Sequence, residues 1–270
     1  MNTQNQPSAN TITFLGTAGA RFMVSRQLAA SGGLWLNLGG TEILLDPGPG
    51  CVVQSAKRKL NAEKLSAIIL SHRHLDHSGD TNVMVEAMTD GGFHRHGLVF
   101  APPDAFDKEP VLFSYLRRYL DGTVTLEEGR SYSVDGVTFS TPVKHLHPVD
   151  TFGLVFKSAE YNFAYIADTL YFEELKNYYK CDMLIINMVF TKPIPPVQHL
   201  AVPDARRIIE EIKPRVALLS HFGMQVWMAK PWLIAEELTQ QTGVNVIAAR
   251  DGMKFDLTRL EVIKKARAEQ

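Results

Sequence analysis

Ser71-His72-Arg73-His74-Leu75-Asp76-His77-Ser78-Gly79 carries three imidazoles and one carboxylate within six positions, His72 to His77. Gathered on one tip, these groups repel one another if protonated and leave polar atoms unpaired if buried neutral, unless cations hold them. Imidazole and carboxylate donors suit zinc, manganese or iron, and the stretch contains no cysteine of the kind that builds thiolate zinc sites. A solvated, His-rich turn is the competing explanation. His94-Arg95-His96 illustrates it: a second His-x-His between Gly92 and Gly97, with no Asp-His following, reads as an exposed loop pair.

The elements that must position the first cluster can be read around it. Leu65 to Leu70 is an apolar, β-branched run that predicts a buried strand ending at the cluster. Upstream, Thr11–Gly16 predicts a strand, Gly16–Gly19 a tight turn without the Lys-Ser/Thr ending of a phosphate loop, and Leu34–Leu38 with Glu42–Asp46 a hairpin through Gly39-Gly40. Val52–Leu60 and Asn82–Met88 predict helices, the latter with Asp76 and His77 at its start. Leu98–Ala101 predicts a strand and Pro110–Leu120 an amphipathic helix with Pro110 in its first turn. Thr123–Val143 alternates as antiparallel strands do, and Thr151–Phe156 with Tyr161–Ala167 predicts a further hairpin, with His147 before it and Asp168 after it. A helix over Leu170–Tyr179, a strand over Asp182–Asn187, a Pro-rich loop delivering His199, a helix over Pro203–Ile212 and a strand Arg215–Ser220 tipped by His221 follow. The tail predicts a helix near Pro231–Thr242, a strand near Val244–Ala248 and a terminal helix with a basic end.

Composition narrows the function. The chain has 270 residues, 45% of them hydrophobic, enough for a sizeable core, and a formal charge of −1 that argues against a nucleic-acid coat protein. Its short basic clusters, among them Lys57-Arg58-Lys59 and Lys264-Lys265, are dispersed as on solvated helix faces. Cys51 and Cys181 are far apart, as reduced thiols of a cytoplasmic protein would be. Met1–Asn10 reads as a polar leader without a secretory signal, and no apolar run is long enough to span a bilayer. No repeat or linker divides the rest, so residues 11–270 are expected to form one domain.

His-x-His-x-Asp-His after a buried strand, Asp46-Pro47-Gly48 ahead of it, His147 six residues before Gly153, Ile166-Ala167-Asp168-Thr169 and Ser220-His221 together resemble the metallo-β-lactamase-fold hydrolases, from about Phe14 to Gly223. That resemblance implies an α+β fold, a four-layer αββα sandwich of two mixed sheets flanked by helices. It implies that His72, His74 and His147 bind one divalent ion, Asp76, His77 and His221 a second, and that Asp168 bridges them. Redox di-iron relatives carry Glu at the second His of the motif; His74 here favours hydrolysis.

Two such ions about 3.5–4 Å apart would lower the pKa of a bridging water toward neutrality. Two ions, two carboxylates and one hydroxide leave a net charge near about +1, which attracts an anionic ester. Zinc is the first expectation, with manganese and iron compatible. Asp46 is either a turn former before Pro and Gly or an outer hydrogen-bond support for a metal-binding histidine. His145, two residues from His147, is its rival as a ligand; the spacing to Gly153 favours His147, which leaves His145 as a neighbouring support or a satisfied core histidine. His199-Leu200-Ala201-Val202-Pro203-Asp204 is similar to the segment by which the tRNase Z and phosphodiesterase branch brings a histidine to the leaving group, so Asp76 and His199 are the expected catalytic pair; a loop histidine capping the next helix is the alternative. Arg26, on a loop near the site in that branch, is a candidate phosphate contact.

The gaps from His147 to Asp168 and from Asp168 to His199 are too short for the protruding arm with which tRNase Z grips tRNA. A small phosphodiester or nucleotide-derived ester is therefore expected, not a long nucleic acid, with no membrane partner and a homodimer compatible with the family. A lactonase or thioesterase using Phe222, Met224, Trp227 and Met228 as an acyl pocket is the second enzymatic reading. A non-catalytic metal-binding protein is the third.

Overall fold

A strand such as Leu65–Ile69, apolar on both faces, can be stable only if both faces are covered. The computed structural model, which describes residues 10–264, shows how. The leader's residues 1–9 and the basic tail from Lys265 lie outside the described residues. The chain forms β1 (Thr11–Phe14), α1 (Ala20–Arg26), β2 (Leu34–Leu38), β3 (Thr41–Leu45), α2 (Cys51–Lys57), β4 (Leu65–Ile69), α3 (Leu75–Ser78), α4 (Thr81–Met88), β5 (Leu98–Ala101) and β6 (Gly122–Thr125). It continues as β7 (Arg130–Val134), β8 (Val137–Thr141), β9 (Leu154–Lys157), β10 (Asn162–Ile166), α5 (Leu175–Tyr178), β11 (Met183–Asn187), α6 (Val202–Ile212) and β12 (Val216–Ser220). It closes with α7 (Met224–Met228), α8 (Pro231–Thr242), β13 (Asn245–Ala248), β14 (Lys254–Asp256) and β15 (Glu261–Val262).

Two mixed sheets result, in the orders β15-β14-β1-β2-β3-β4-β5-β6 and β13-β12-β11-β10-β9-β8-β7. β3 to β6 run parallel to one another, as do β10 to β13. Alternate side chains divide the burial: Ala67 and Ile69 of β4 meet Met183 and Ile185 of β11 between the sheets. Ile68 turns outward against Met84, Val85 and Met88 of α4. Leu184 and Ile186 turn outward against Ile208 and Ile209 of α6. Each such aliphatic side chain, fully buried, contributes about 1.5–3 kcal/mol. The architecture is therefore the expected αββα sandwich, and no helix of the described residues is long and apolar enough to cross a membrane.

The hairpins β2–β3 and β9–β10 form as expected. Several elements do not. Over Pro110–Leu120 only a short 3-10 turn forms, Leu116–Tyr119. Asn82 binds the Val111 carbonyl and the Phe113 N–H, and Arg117 binds the Phe106 carbonyl, so side chains replace the helical ladder while Leu112 and Leu116 stay buried. Asp76 and His77 sit on the separate turn α3, ahead of Asp80, whose carboxylate accepts from the Val52 N–H of α2, and α4 starts only at Thr81. Only Leu175–Tyr178 of the expected Leu170–Tyr179 helix is helical, because the Leu170 N–H donates to the Leu146 carbonyl. Of the Thr123–Val143 alternation, β7 and β8 pair antiparallel, whereas β6 joins the other sheet parallel to β5. The described part of the expected terminal helix is instead the short strand pair β14–β15. α1, over a stretch with no predicted element, covers the loop after β1.

Candidate metal centre

Parallel strands deliver their carboxyl ends to one edge of the sandwich, where open α/β sheets bind ligands. Asp46 follows β3 directly, His72 lies just past β4, Asp168 just past β10, and His221 directly follows β12. His147 comes from the loop between β8 and β9, and His199 from the loop before α6. Asp46 (φ 54°) and His221 (φ 60°) hold left-handed backbone, a conformation that costs energy for such residues and concentrates at functional sites. Room is made for His221 by Gly19, where a β-carbon would lie 2.4 Å from its imidazole Cδ2.

Two clusters meet there. His74 Nδ1 is 3.1 Å from His72 Nε2 and 3.0 Å from His147 Nε2. Beside them, His77 Nε2 is 3.3 Å from His221 Nε2, and both are 3.4 Å from Asp168 Oδ2; Asp76 Oδ2 is 3.5 Å from His221 Nε2. Asp168 Oδ2 also lies 3.9 Å from His72 Nε2, so one oxygen reaches toward both groups. A tetrahedral ion with bonds of about 2.0–2.2 Å sets its donors about 3.3–3.6 Å apart, close to these spacings. Asp168 is buried, and its Oδ2 has no hydrogen-bond donor. A buried carboxylate oxygen without a partner is costly, and a cation would satisfy it.

The outer nitrogens of three histidines are also accounted for. His72 Nδ1 contacts Ser71 Oγ at 3.0 Å, and that hydroxyl donates to Asp46 Oδ2 at 2.7 Å, so it is free to accept the imidazole N–H. His77 Nδ1 is 2.9 Å from Asp46 Oδ2, and His147 Nδ1 is 3.0 Å from the Gln198 carbonyl. Each contact protonates the outer nitrogen and turns the inner lone pair toward the cluster, as a ligand requires. Asp46 additionally accepts from the Ser71 N–H at 2.6 Å and the Tyr165 hydroxyl at 2.9 Å, which makes it a support of the site as well as a turn residue.

Charge points the same way. Burial opposes charging of His77, yet Asp168 and Asp46 push its pKa well up; burial opposes it at His221 too, yet Asp168 holds that group up at about 9. Burial disfavours a charged Asp168, but His221 and His77 keep its carboxyl well below the usual range. Burial lowers His72 well below its ordinary value and His147 to about 4, leaving neutral lone pairs. The second cluster thus calls for positive charge that protons or cations must bring, while the first presents neutral donors.

His145 is buried, with Nε2 at 2.7 Å from the Tyr179 hydroxyl and Nδ1 at 3.3 Å from the Asp168 carbonyl, behind the ligand-type atoms. His199 Nδ1 lies 3.3 Å from Asp168 Oδ2 without a hydrogen bond, and the ring packs on His147 and Phe190. It does not cap α6: Asp204 binds the Ala201 N–H there. Arg26 is not on a loop but in the last turn of α1, whose first N–H, that of Ala20, donates to Asp76 Oδ2 at 3.1 Å. His94 is exposed beside Asp90, away from both clusters. Phe222 is core and, with Trp227, Pro231 and Trp232, lines a groove that no cluster residue borders, while Met228 is 73% exposed. Met224 and Trp227 pack beside Ala18, Met23 and Ala29.

Sequence reasoning missed Tyr165 and Asn187. Asn187 Nδ2 donates to Tyr165 Oη and to Asp168 Oδ1, both at 3.0 Å. The signal available was an amide ending the otherwise apolar β11.

The model of the beta-lactamase superfamily domain matches residues 41–222. The chain is 31% identical over 256 residues to the uncharacterized protein MJ1374 of Methanocaldococcus jannaschii, covering 91% of this chain and 94% of that one. It is 22% identical to the ribonuclease Z of Borrelia duttonii, over 94% of this chain and 99% of the relative. Among solved structures, the metallo-beta-lactamase fold protein YhfI of Bacillus subtilis superposes with a TM-score of 0.78 at 20% identity, covering 92% of this chain and 100% of that one. A diphosphatase from the PhnP family does so at 0.69 and 19%, covering 93% and 98%.

Proposed function

The chain belongs to the beta-lactamase superfamily, and on that premise we propose that it is a dinuclear metal-dependent phosphodiesterase acting on a small phosphodiester or nucleotide-derived ester. The observation that carries the reading is the orphan oxygen of Asp168, buried between the two histidine clusters. His72, His74 and His147 would hold one ion, Asp76, His77 and His221 the other, with Asp168 shared; zinc is the first candidate, manganese or iron the next. Bound there, two divalent ions supply Lewis-acid polarisation of a phosphoryl oxygen and ionisation of water near neutral pH.

The remaining work falls to side chains of the chain itself. Asp76 would be held in place by the Ala20 N–H, which donates to its Oδ2 beside His221. His199, 15% exposed at the rim of the clusters, would pass a proton from its imidazole to the departing alkoxide; burial lowers its pKa and makes it a stronger acid, while Asp168 favours the charged ring. Arg26 remains a candidate phosphate contact from the end of α1. The alignment with ribonuclease Z is longer than this chain, so that relative carries segments absent here, which supports a small substrate over a tRNA. Two free, separated thiols fit a reducing cytoplasm.

The test is His199→Ala assayed on an alkyl and on a bis-nitrophenyl phosphodiester. About 10²–10⁴-fold is expected to be lost on the alkyl ester and far less on the aryl one, with the metal count unchanged. Equal losses refute the proton-donor role, and loss of an ion would make His199 a ligand, since its Nδ1 also groups with His147 and Asp168. Hydrolysis of acyl lactones in preference to every phosphodiester would refute the substrate class.

A further inference from the structure

Each cluster draws on both sheets: His72, His74, Asp76 and His77 follow β4, whereas His147 lies between β8 and β9 and Asp168 and His221 follow β10 and β12. Something must hold the shared carboxylate in register with histidines on the other sheet. One continuous hydrogen-bond chain crosses the gap. Asn187, the last residue of β11, gives one N–H to Asp168 Oδ1 and the other to Tyr165 Oη, and the Tyr165 hydroxyl donates to Asp46 Oδ2. Asp46 in turn binds His77 Nδ1 directly and His72 Nδ1 through the Ser71 hydroxyl. The members are buried, and the chain has one polarity: Asp168 Oδ1 can only accept, so the Asn187 amide must present its NH₂ group, and Tyr165 is left to donate onward. Asn187 thereby occupies Oδ1 and leaves Oδ2 as the oxygen that faces both clusters.

Resting on the dinuclear reading above, we propose that Asn187 and Tyr165 are positioning residues that select the Asp168 oxygen the two ions would share and so hold it in register with the histidines that follow β4. Neither touches the substrate; both act through Asp168 and Asp46. Without the Asn187 donor the carboxylate is free to turn about its Cβ–Cγ bond, and the same side chain then serves one cluster at the expense of the other. Loss of the Tyr165 hydroxyl removes the link to Asp46 and leaves Asn187 with one unused N–H. Its effect is the same in kind and smaller.

The experiment titrates the metal-free full chain with Mn2+ and with Zn2+, reading stoichiometry and affinity by calorimetry and the coupling of the Mn2+ pair by electron paramagnetic resonance. Variants are Asn187→Leu, Tyr165→Phe and Ser220→Ala, the last at the position paired with Asn187 in the neighbouring strand. Wild type is expected to bind two Mn2+ with a spin-coupled signal. Asn187→Leu should lose the coupled signal and bind its second equivalent about 10–100-fold more weakly, the cost typical of removing an outer support of a metal ligand. Tyr165→Phe should show the smaller loss and Ser220→Ala none. A coupled pair with affinities within about twofold of wild type in Asn187→Leu overturns the proposal; if that variant fails to fold, the same outcome in Tyr165→Phe does so. Equal loss in Ser220→Ala also overturns it, because any change at the strand ends would then suffice. Wild type binding fewer than two ions would instead refute the dinuclear reading itself.

Discussion

Replacing Asp46 by Asn keeps its shape and changes only what its two terminal atoms can accept. The carboxylate takes four hydrogen bonds, one at Oδ1 from the Ser71 N–H and three at Oδ2 from Ser71 Oγ, His77 Nδ1 and Tyr165 Oη. The amide's NH₂ must displace one of these acceptors, and the cheaper orientation sets it against the single Ser71 N–H. That leaves a buried donor unpaired, about 1–3 kcal/mol, and turns three charge-assisted bonds into neutral ones. Less desolvation of the neutral side chain offsets part of this, so a net loss of about 2–4 kcal/mol is expected. For a chain of this size that lowers the melting temperature of the metal-free protein by about 5–15 °C. Zinc affinity should fall about 10–100-fold, because the group that fixes the tautomers of His72 and His77 loses its charge. Thermal melts with chelator present and zinc competition titrations measure the two effects separately. A variant that melts within about 2 °C of wild type and binds zinc as tightly would refute the reasoning. Lost stability with intact zinc affinity would mean that Asp46 serves the fold alone.

Gly19→Ala would drive a methyl group to 2.4 Å from the His221 ring, so weaker zinc binding with a stability loss of about 1–3 kcal/mol is expected; an unchanged zinc titration would show that the ring can move at no cost. Burial pushes the Cys181 thiol up to about 12, and burial with the nearby Asp80 raises Cys51 well above its ordinary value. The reactive thiolate is therefore scarce at pH 8. Iodoacetamide at that pH should leave both unmodified in the native protein and label both in urea, as mass spectrometry would record, and rapid native labelling would contradict the burial. Removing metal with a chelator should abolish phosphodiester hydrolysis, and zinc at about 100 times its dissociation constant should stabilise the stripped protein by about 2.7 kcal/mol per independent site. Hydrolysis that survives exhaustive chelation would rule out the metal-dependent reaction.

The cluster His72–His77 was legible because its donors are local, held by one loop and one turn of helix, so spacing alone reveals them. His147, Asp168 and His221 were legible only as a set, each an ordinary residue at the end of an apolar strand until joined to the motif. The strands themselves could be read from their apolar runs, since burial on both faces leaves no polar alternation to misread. What failed was decided by contacts far apart in the chain. Asn82 unwinds the 110–120 segment by binding its backbone, and the Leu146 carbonyl holds the Leu170 N–H out of a helix. The Asn187–Tyr165 link was invisible for the same reason: neither residue carries a pattern, and only the packing of one sheet on the other brings them between Asp46 and Asp168.

The most direct measurement is anomalous scattering from a crystal of the zinc-loaded protein, collected on both sides of the zinc edge. Two full-occupancy peaks are expected, one among His72, His74 and His147, the other among Asp76, His77 and His221, with Asp168 touching both. A single peak, or zinc bound only elsewhere on the surface, would contradict the claim that these side chains hold a pair of ions.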